Sequence, residues 1–204
     1  MEESYYIQSQ KGCEYMLPIQ IDLPKNFLEE EIRCGYKISS EMKKVWAVEM
    51  DMLYQLDQIC RKYNIHYFAS GGTMLGAVRH KGFIPWDDDI DIMMFREEYD
   101  KLCKVAPKEL KYPYFFQTEY TDKGSLRGHA QIRNCKTTGI LMSEKDKKYQ
   151  FNQGIFVDIF PLDAIVNDEE LFHRQFKRAM KYKKLAFQIA KLTTRYNSYT
   201  LQSK

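Results

Sequence analysis

The stretch Ser70-Gly-Gly-Thr-Met-Leu-Gly-Ala-Val-Arg-His-Lys-Gly-Phe-Ile-Pro-Trp-Asp-Asp-Asp-Ile-Asp-Ile92 joins a double glycine to a dense run of carboxylates. A Gly-Gly turn that opens a helix offers bare backbone N–H groups to an anion. Alternating aspartates on a following strand can hold the divalent ion that such an anion brings. Period-two alternation over Asp89-Ile-Asp-Ile-Met-Met94 predicts a strand with Asp89 and Asp91 on one face and Ile90 and Ile92 on the other. Along such a strand the two carboxylates stand about 6.6 to 7 Å apart, a spacing from which both can lean toward one ion or a pair of ions.

Outward from that stretch, a helix is expected from Ser39 to Tyr63, capped by Ser39, with Met42, Val45, Trp46, Leu53, Leu56 and Ile59 at helical spacing and Asn64 at its end. Ile65 to Ala69 reads as a short strand, Gly71-Gly72 as the turn and Thr73 to His80 as a helix closed off by Gly82 and Pro85. A helix over Arg96 to Ala106 and strands at Tyr114 to Thr118, His129 to Asn134, Gly139 to Met142 and Gly154 to Phe160 follow. Asn167 with Glu170 signals the start of a long basic helix running to about Arg195. Three regions result: residues 1–38 as an arm or edge segment containing Leu17-Pro-Ile-Gln-Ile-Asp-Leu-Pro24, residues 39–165 as the body, and residues 166–204 as a helical segment.

Composition sets outer bounds. With 44% hydrophobic and 29% charged residues, a chain of 204 residues can bury a substantial core, so a soluble globular fold is expected. The net charge of +3 hides an asymmetry: residues 168–204 carry nine Lys or Arg against three acids, a surplus of six, which leaves the first 167 residues at about minus three. Five scattered cysteines (Cys13, Cys34, Cys60, Cys103, Cys135) signal neither a disulfide framework nor a zinc site, and a reducing cytoplasm fits best. No signal peptide and no membrane-spanning run stands out, so any membrane association is expected to be peripheral.

Further residues complete a prospective site. Asp158, in the apolar run Gly154-Ile-Phe-Val-Asp-Ile-Phe-Pro-Leu-Asp163, calls for an ion or another strong partner, because an unpaired charge among Val157 and Ile159 costs several kcal/mol. Asp87 lies two residues before Asp89 and fits the same site, whereas Asp88 is expected to point elsewhere. Oxygen ligands of this kind favour magnesium or manganese, Mg2+ or Mn2+. Thr73 fits a phosphate cradle or a helix cap. Arg79 and Lys81 fit neutralisation of a diphosphate, with a solvated surface equally good for Lys81. Arg133 alternates with Ile132 and fits either the same cleft or a salt bridge. His66, His80, His129 and His173 read as packing or surface residues. The aromatic run Tyr112 to Tyr120 fits core packing better than a cage for a quaternary ammonium. The apolar and basic residues of 171–195 fit a helix packed on the domain, or one lying against an anionic membrane or acidic glycan.

The segment Ser70 to Ile92, together with the preceding helix and strand and the later Gly154 to Asp163, resembles the LicD family, named for bacterial cholinephosphotransferases and related to fukutin and the fukutin-related protein. The resemblance covers roughly residues 39–165. It implies the fold of the nucleotidyltransferase superfamily, of the α/β (α+β) class, with a mixed β-sheet flanked by helices. By position it implies that Asp89 and Asp91 match the paired metal aspartates, Asp158 the third carboxylate, Asp87 an additional acid, and Gly71, Gly72 and Thr73 the phosphate-holding turn. The implied reaction is attack of a glycan hydroxyl on the phosphate of a CDP-activated alcohol, typically CDP-choline, giving a phosphodiester and CMP. A CDP-alcohol donor and a glycan acceptor are then the expected partners, and a nucleic acid polymer is not among them. Many relatives continue for several dozen residues beyond the equivalent of Lys204, which falls within an expected helix, so the chain reads as a fragment lacking part of the acceptor site.

Overall fold

A computed structural model describes residues 17–144, 146–147 and 149–200. Cys13 and the first sixteen residues of the expected arm lie outside the described residues, as does the Phe187 side chain of the basic helix. The described part of the arm, from Leu17 to Pro24, forms no strand. It is tied down by Asp51, whose Oδ1 accepts from the Gln20 and Ile21 N–H groups (2.8 and 3.1 Å), and by Asn134 Nδ2 donating to Pro18 O. A hairpin without a sequence signal follows: β1 (Glu31–Arg33) and β2 (Tyr36–Ile38) are joined by Cys34-Gly35, with φ of +54° and +74°. Two consecutive positive φ angles suit the right-handed twist of a two-residue hairpin, and here a cysteine takes the place usually held by Asn or Asp.

Helix α1 (Ser40–Tyr63) begins and ends as its sequence predicts: the Met42 N–H donates to Ser39 Oγ at 3.2 Å, and Asn64 closes it in the left-handed region. Next come β3 (Phe68–Ala69), α2 (Gly71–Arg79), β4 (Asp91–Phe95), α3 (Arg96–Glu109), β5 (Tyr114–Gln117), β6 (Ala130–Asn134), β7 (Phe156–Leu162) and α4 (Glu169–Thr200). The expected strand at Gly139 to Met142 is absent; a single 3-10 turn at Met142–Glu144 stands there. Both glycines of the expected turn lie inside the first turn of α2, and α4 is capped by Asp168, whose Oδ1 accepts from the Leu171 N–H, rather than by Asn167.

Five strands form one mixed sheet in the order β3-β4-β7-β6-β5, parallel only between β4 and β7. Helices α1 and α3 cover one face. Val48, Met52 and Leu56 of α1 and Leu102 and Ala106 of α3 meet Ile92, Met94, Ile132, Val157 and Ile159, all buried. Each large aliphatic side chain buried there contributes about 1.5–3 kcal/mol. That apolar face fixes the strand register, because a slip of one residue would drive Asp91 and Asp158 into the core. The opposite face carries the polar residues Asp91, Asp158, Gln131 and Arg133.

Helix α4 departs from the expectation that it packs on the domain. Its start is anchored by Gln175 Nε2 donating to Ala164 O, yet every described side chain from His173 to Ile189 is exposed. Among the described residues no helix is long and apolar enough to cross a membrane.

Candidate functional site

The site is built where α2 begins beside the leading end of β4. The Ser70 N–H donates to Asp91 O and the Asp91 N–H donates to Thr73 Oγ1, at 2.9 and 2.8 Å. These two bonds hold the first turn of α2 against Asp91. At that turn the N–H groups of the helix have no acceptor within the helix itself, which is the requirement for receiving an anion. Gly71 has φ of +48°, which strongly favours glycine there, and a Cβ added at it would stand 3.9 Å from Asp91 Oδ2. Gly72 is required for room: a Cβ there would collide with the Asp87 carboxylate.

The acids arrive from two directions. In the loop before β4, one carboxylate oxygen from each of Asp87, Asp88 and Asp89 lies within 4.8 Å of the other two. Asp88 therefore joins the cluster, contrary to the alternation expected of it, because β4 begins only at Asp91 and residues 87–89 are not yet pleated strand. The loop is pinned from below: Trp46 Nε1 donates to Asp87 O at 2.9 Å, and the Trp46 ring stacks on Phe83 at 4.6 Å. Burial pushes the Asp87 carboxyl above the usual carboxylate range.

From the second direction comes β7. Asp158 is the register partner of Asp91 on the parallel neighbour strand, so both side chains rise from one face. The partners its apolar surroundings demand are Gln131 Nε2, at 2.5 Å, and His129 Nε2, at 3.1 Å with the tautomer unassigned. Both bonds fall on Oδ1. His129, read from sequence as packing or surface, is thus part of the site; it also lies against Phe160, with ring centroids 4.5 Å apart.

From sequence, three basic residues are candidates for the phosphate. Arg133 shares the sheet face of Asp158 but is 1% exposed, and its Nε, Nη1 and Nη2 donate to Gln117 Oε1, Gly154 O and Gln131 Oε1, each at 2.6 Å. It acts on the site through Gln131, which it orients toward Asp158, rather than by reaching a phosphate. Arg79 and Lys81 lie at the far end of α2, about 12 Å along the axis from Gly71. There Arg79 Nε donates to His80 Nε2 and Lys81 Nζ to Val78 O.

One acid that sequence periodicity does not single out feels the charge of the cluster from α1. Glu49 of α1 is 0% exposed, and neither of its carboxylate oxygens has a hydrogen-bond partner. Its carboxyl is held well above the usual range, first by burial and then by Asp89, Asp88, Asp87 and Asp91. The signal was present in the sequence as an acid on the apolar stripe of α1, between Trp46 and Met52.

A donor set made of oxygens, with a carboxylate buried and unpartnered against four others, fits a hard divalent cation. Comparison with known proteins supplies the family. The chain is 33% identical over 143 residues to a protein of Haemophilus influenzae named lipopolysaccharide cholinephosphotransferase LicD, a match covering 70% of this chain and 52% of that one. It is 33% identical over 124 residues to an uncharacterized protein of Rickettsia prowazekii, covering 59% of this chain and 44% of that one. Over 34 residues it is 44% identical to the human ribitol 5-phosphate transferase FKRP, covering 17% and 7%. The chain spans about half the length of the first two curated relatives. The family model for the LicD/FKTN/FKRP nucleotidyltransferase domain matches residues 64–194, from the end of α1 into α4, and the chain belongs to that family.

Proposed function

We propose that this domain is a metal-dependent phosphotransferase that moves phosphocholine from CDP-choline to a hydroxyl of a cell-surface glycan, such as a lipopolysaccharide, teichoic acid or capsule precursor, and releases CMP. The observation that carries the reading is the meeting of Asp91 and Asp158 in register beside the open first turn of α2, with the Asp87–Asp89 loop next to them. The Haemophilus relative, named a lipopolysaccharide cholinephosphotransferase, supports the choice of donor and acceptor.

In this reading Asp89, Asp91 and Asp158, with Asp87, hold Mg2+ or Mn2+, which when bound neutralises charge on the donor phosphates. The N–H groups of Gly71, Gly72 and Thr73 receive the phosphate oxygens and fix their orientation. Asp158, oriented by Gln131 and His129, accepts a hydrogen bond from the attacking hydroxyl; alignment of donor and acceptor is the larger contribution in phosphoryl transfer. The exposed basic and apolar surface of α4 supports a peripheral contact with an anionic membrane.

A panel of CDP-choline, CDP-ethanolamine, CDP-glycerol and CDP-ribitol with magnesium or manganese, followed by CMP release, tests the proposal. CDP-choline should be turned over fastest, and Asp89→Ala or Asp91→Ala should abolish the reaction in a folded protein. Preference for CDP-ribitol would instead favour the chemistry named for the FKRP relative. Full activity of either variant would sink the mechanism.

A further inference from the structure

We propose that Glu49 is a cation ligand of this site, closing the Asp87–Asp89 cluster from the α1 side. The inference rests on the metal-dependent reading above and extends it to a residue outside the acid motif. Glu49 is fully buried and both its carboxylate oxygens lack partners, whereas Asp51, the other buried acid of α1, accepts from two backbone N–H groups and from Tyr114 Oη. Buried carboxylates are ordinarily satisfied in the manner of Asp51.

The charges that bear on Glu49 are Asp89, Asp88, Asp87 and Asp91, all of its own sign. The basic residues nearby are directed elsewhere. Lys43, the buried lysine of the same helix, pairs with Glu31 at 3.1 Å and faces the Phe27 ring, and Arg33 lies over Trp46 and pairs with the same Glu31. Trp46, one helical turn before Glu49 and on the same side of α1, fastens the Asp87 backbone to the helix, so the acid loop is tied to the turn of α1 that precedes Glu49. An orphaned carboxylate among carboxylates is a costly arrangement, and a shared divalent cation turns each of those repulsions into coordination.

The test is Mn2+ binding, by calorimetry and by the loss of the free-ion EPR signal, on wild type, Glu49→Gln and Glu49→Asp, with thermal unfolding in chelator and in Mn2+. Glu49→Gln should melt higher than wild type in chelator as pH is raised, because the variant has no carboxyl to be ionised against the four aspartates. Its Mn2+ affinity should fall at least tenfold, and the rise in Tm on adding Mn2+ should shrink. Glu49→Asp, which keeps the charge but withdraws the oxygens by one methylene, should also bind more weakly. Unchanged affinity in both variants would overturn the assignment of Glu49 while leaving the metal-dependent reading intact. Failure of the wild type to bind Mn2+ would overturn both.

Discussion

Asp91 and Asp158 stand opposite each other in the register of the parallel strands β4 and β7, and a single hydrogen-bonded ladder sets the spacing of their carboxylates. Neighbouring strands lie about 4.8 Å apart, so the two side chains can serve one ion without rearrangement of the sheet. Asp91→Asn and Asp158→Asn should each lower CMP release by at least about a hundredfold, the scale on which a lost charge-stabilising group acts. Circular dichroism and the melting temperature should be little changed, since both side chains are on the open face.

His129 bonds Asp158, and His129→Phe separates a positioning role from simple packing. The phenyl ring can keep the contact with Phe160 but cannot bond to Asp158 Oδ1. Loss of such a supporting bond typically costs 10- to 100-fold in metal affinity or activity, so Mn2+ affinity should fall by about that factor. A purely structural histidine would lower the melting temperature and leave Mn2+ affinity where it was.

The two adjacent glycines should fail in different ways when replaced. Gly71→Ala places a Cβ on a backbone with φ of +48° and should cost about 1–2 kcal/mol of stability, measured by urea unfolding. Gly72→Ala meets the Asp87 carboxylate and must displace it, so its larger effect should be on CMP release and Mn2+ affinity. Equal loss of stability with full activity in both variants would contradict the packing of Asp87 on α2.

Much of this arrangement was legible in the sequence, and the reasons are physical. Asp91 follows from period-two alternation, Asp158 from the cost of a charge in an apolar run, and the caps of α1 from Ser39 and Asn64. Asp88 escaped because alternation was carried into a loop before the strand had begun. The sequence leaves Arg133 open between the cleft and a salt bridge, because periodicity carries no information about what covers a sheet face; in the structure Gln117, Gln131 and Gly154 take up its donors. Glu49 escaped for a related reason: a helical stripe marks which residues are buried, not which of them goes without a partner. The hairpin β1–β2 escaped because Cys34-Gly35 carries no strong turn signal.

At the far end of β7, Arg96 holds Asp163 through two parallel hydrogen bonds, Nε to Oδ1 and Nη2 to Oδ2, both 2.7 Å, which tie the start of α3 to the exit from the sheet. The guanidinium keeps the Asp163 carboxyl below the usual carboxylate range. A depressed folded-state value means stability that is present above the unfolded value, about 3.9, and lost as pH falls through the folded one. Because the pair is exposed, Asp163→Asn should cost no more than about 1 kcal/mol at pH 7. That difference from wild type should vanish near pH 2 in urea titrations, and one that persists there would assign the cost to packing instead of charge.

Helix α4 leaves Phe176, Met180 and Leu185 exposed beside Lys177, Lys181 and Lys184, an apolar strip bordered by positive charge. An interfacial helix needs this pairing: apolar side chains to enter the headgroup boundary and lysines to meet anionic lipid. In sedimentation with vesicles of phosphatidylglycerol and phosphatidylcholine, the protein should bind, and binding should weaken as salt is raised. Each lysine near the surface contributes about 1 kcal/mol, so removing the three charges with Lys177→Gln, Lys181→Gln and Lys184→Gln should weaken binding by about a hundredfold. Phe176→Ser with Met180→Ser should weaken it too, without changing its salt dependence. A protein that ignores anionic vesicles, or whose binding survives the lysine replacements, would leave the exposed strip of α4 to a partner other than a membrane.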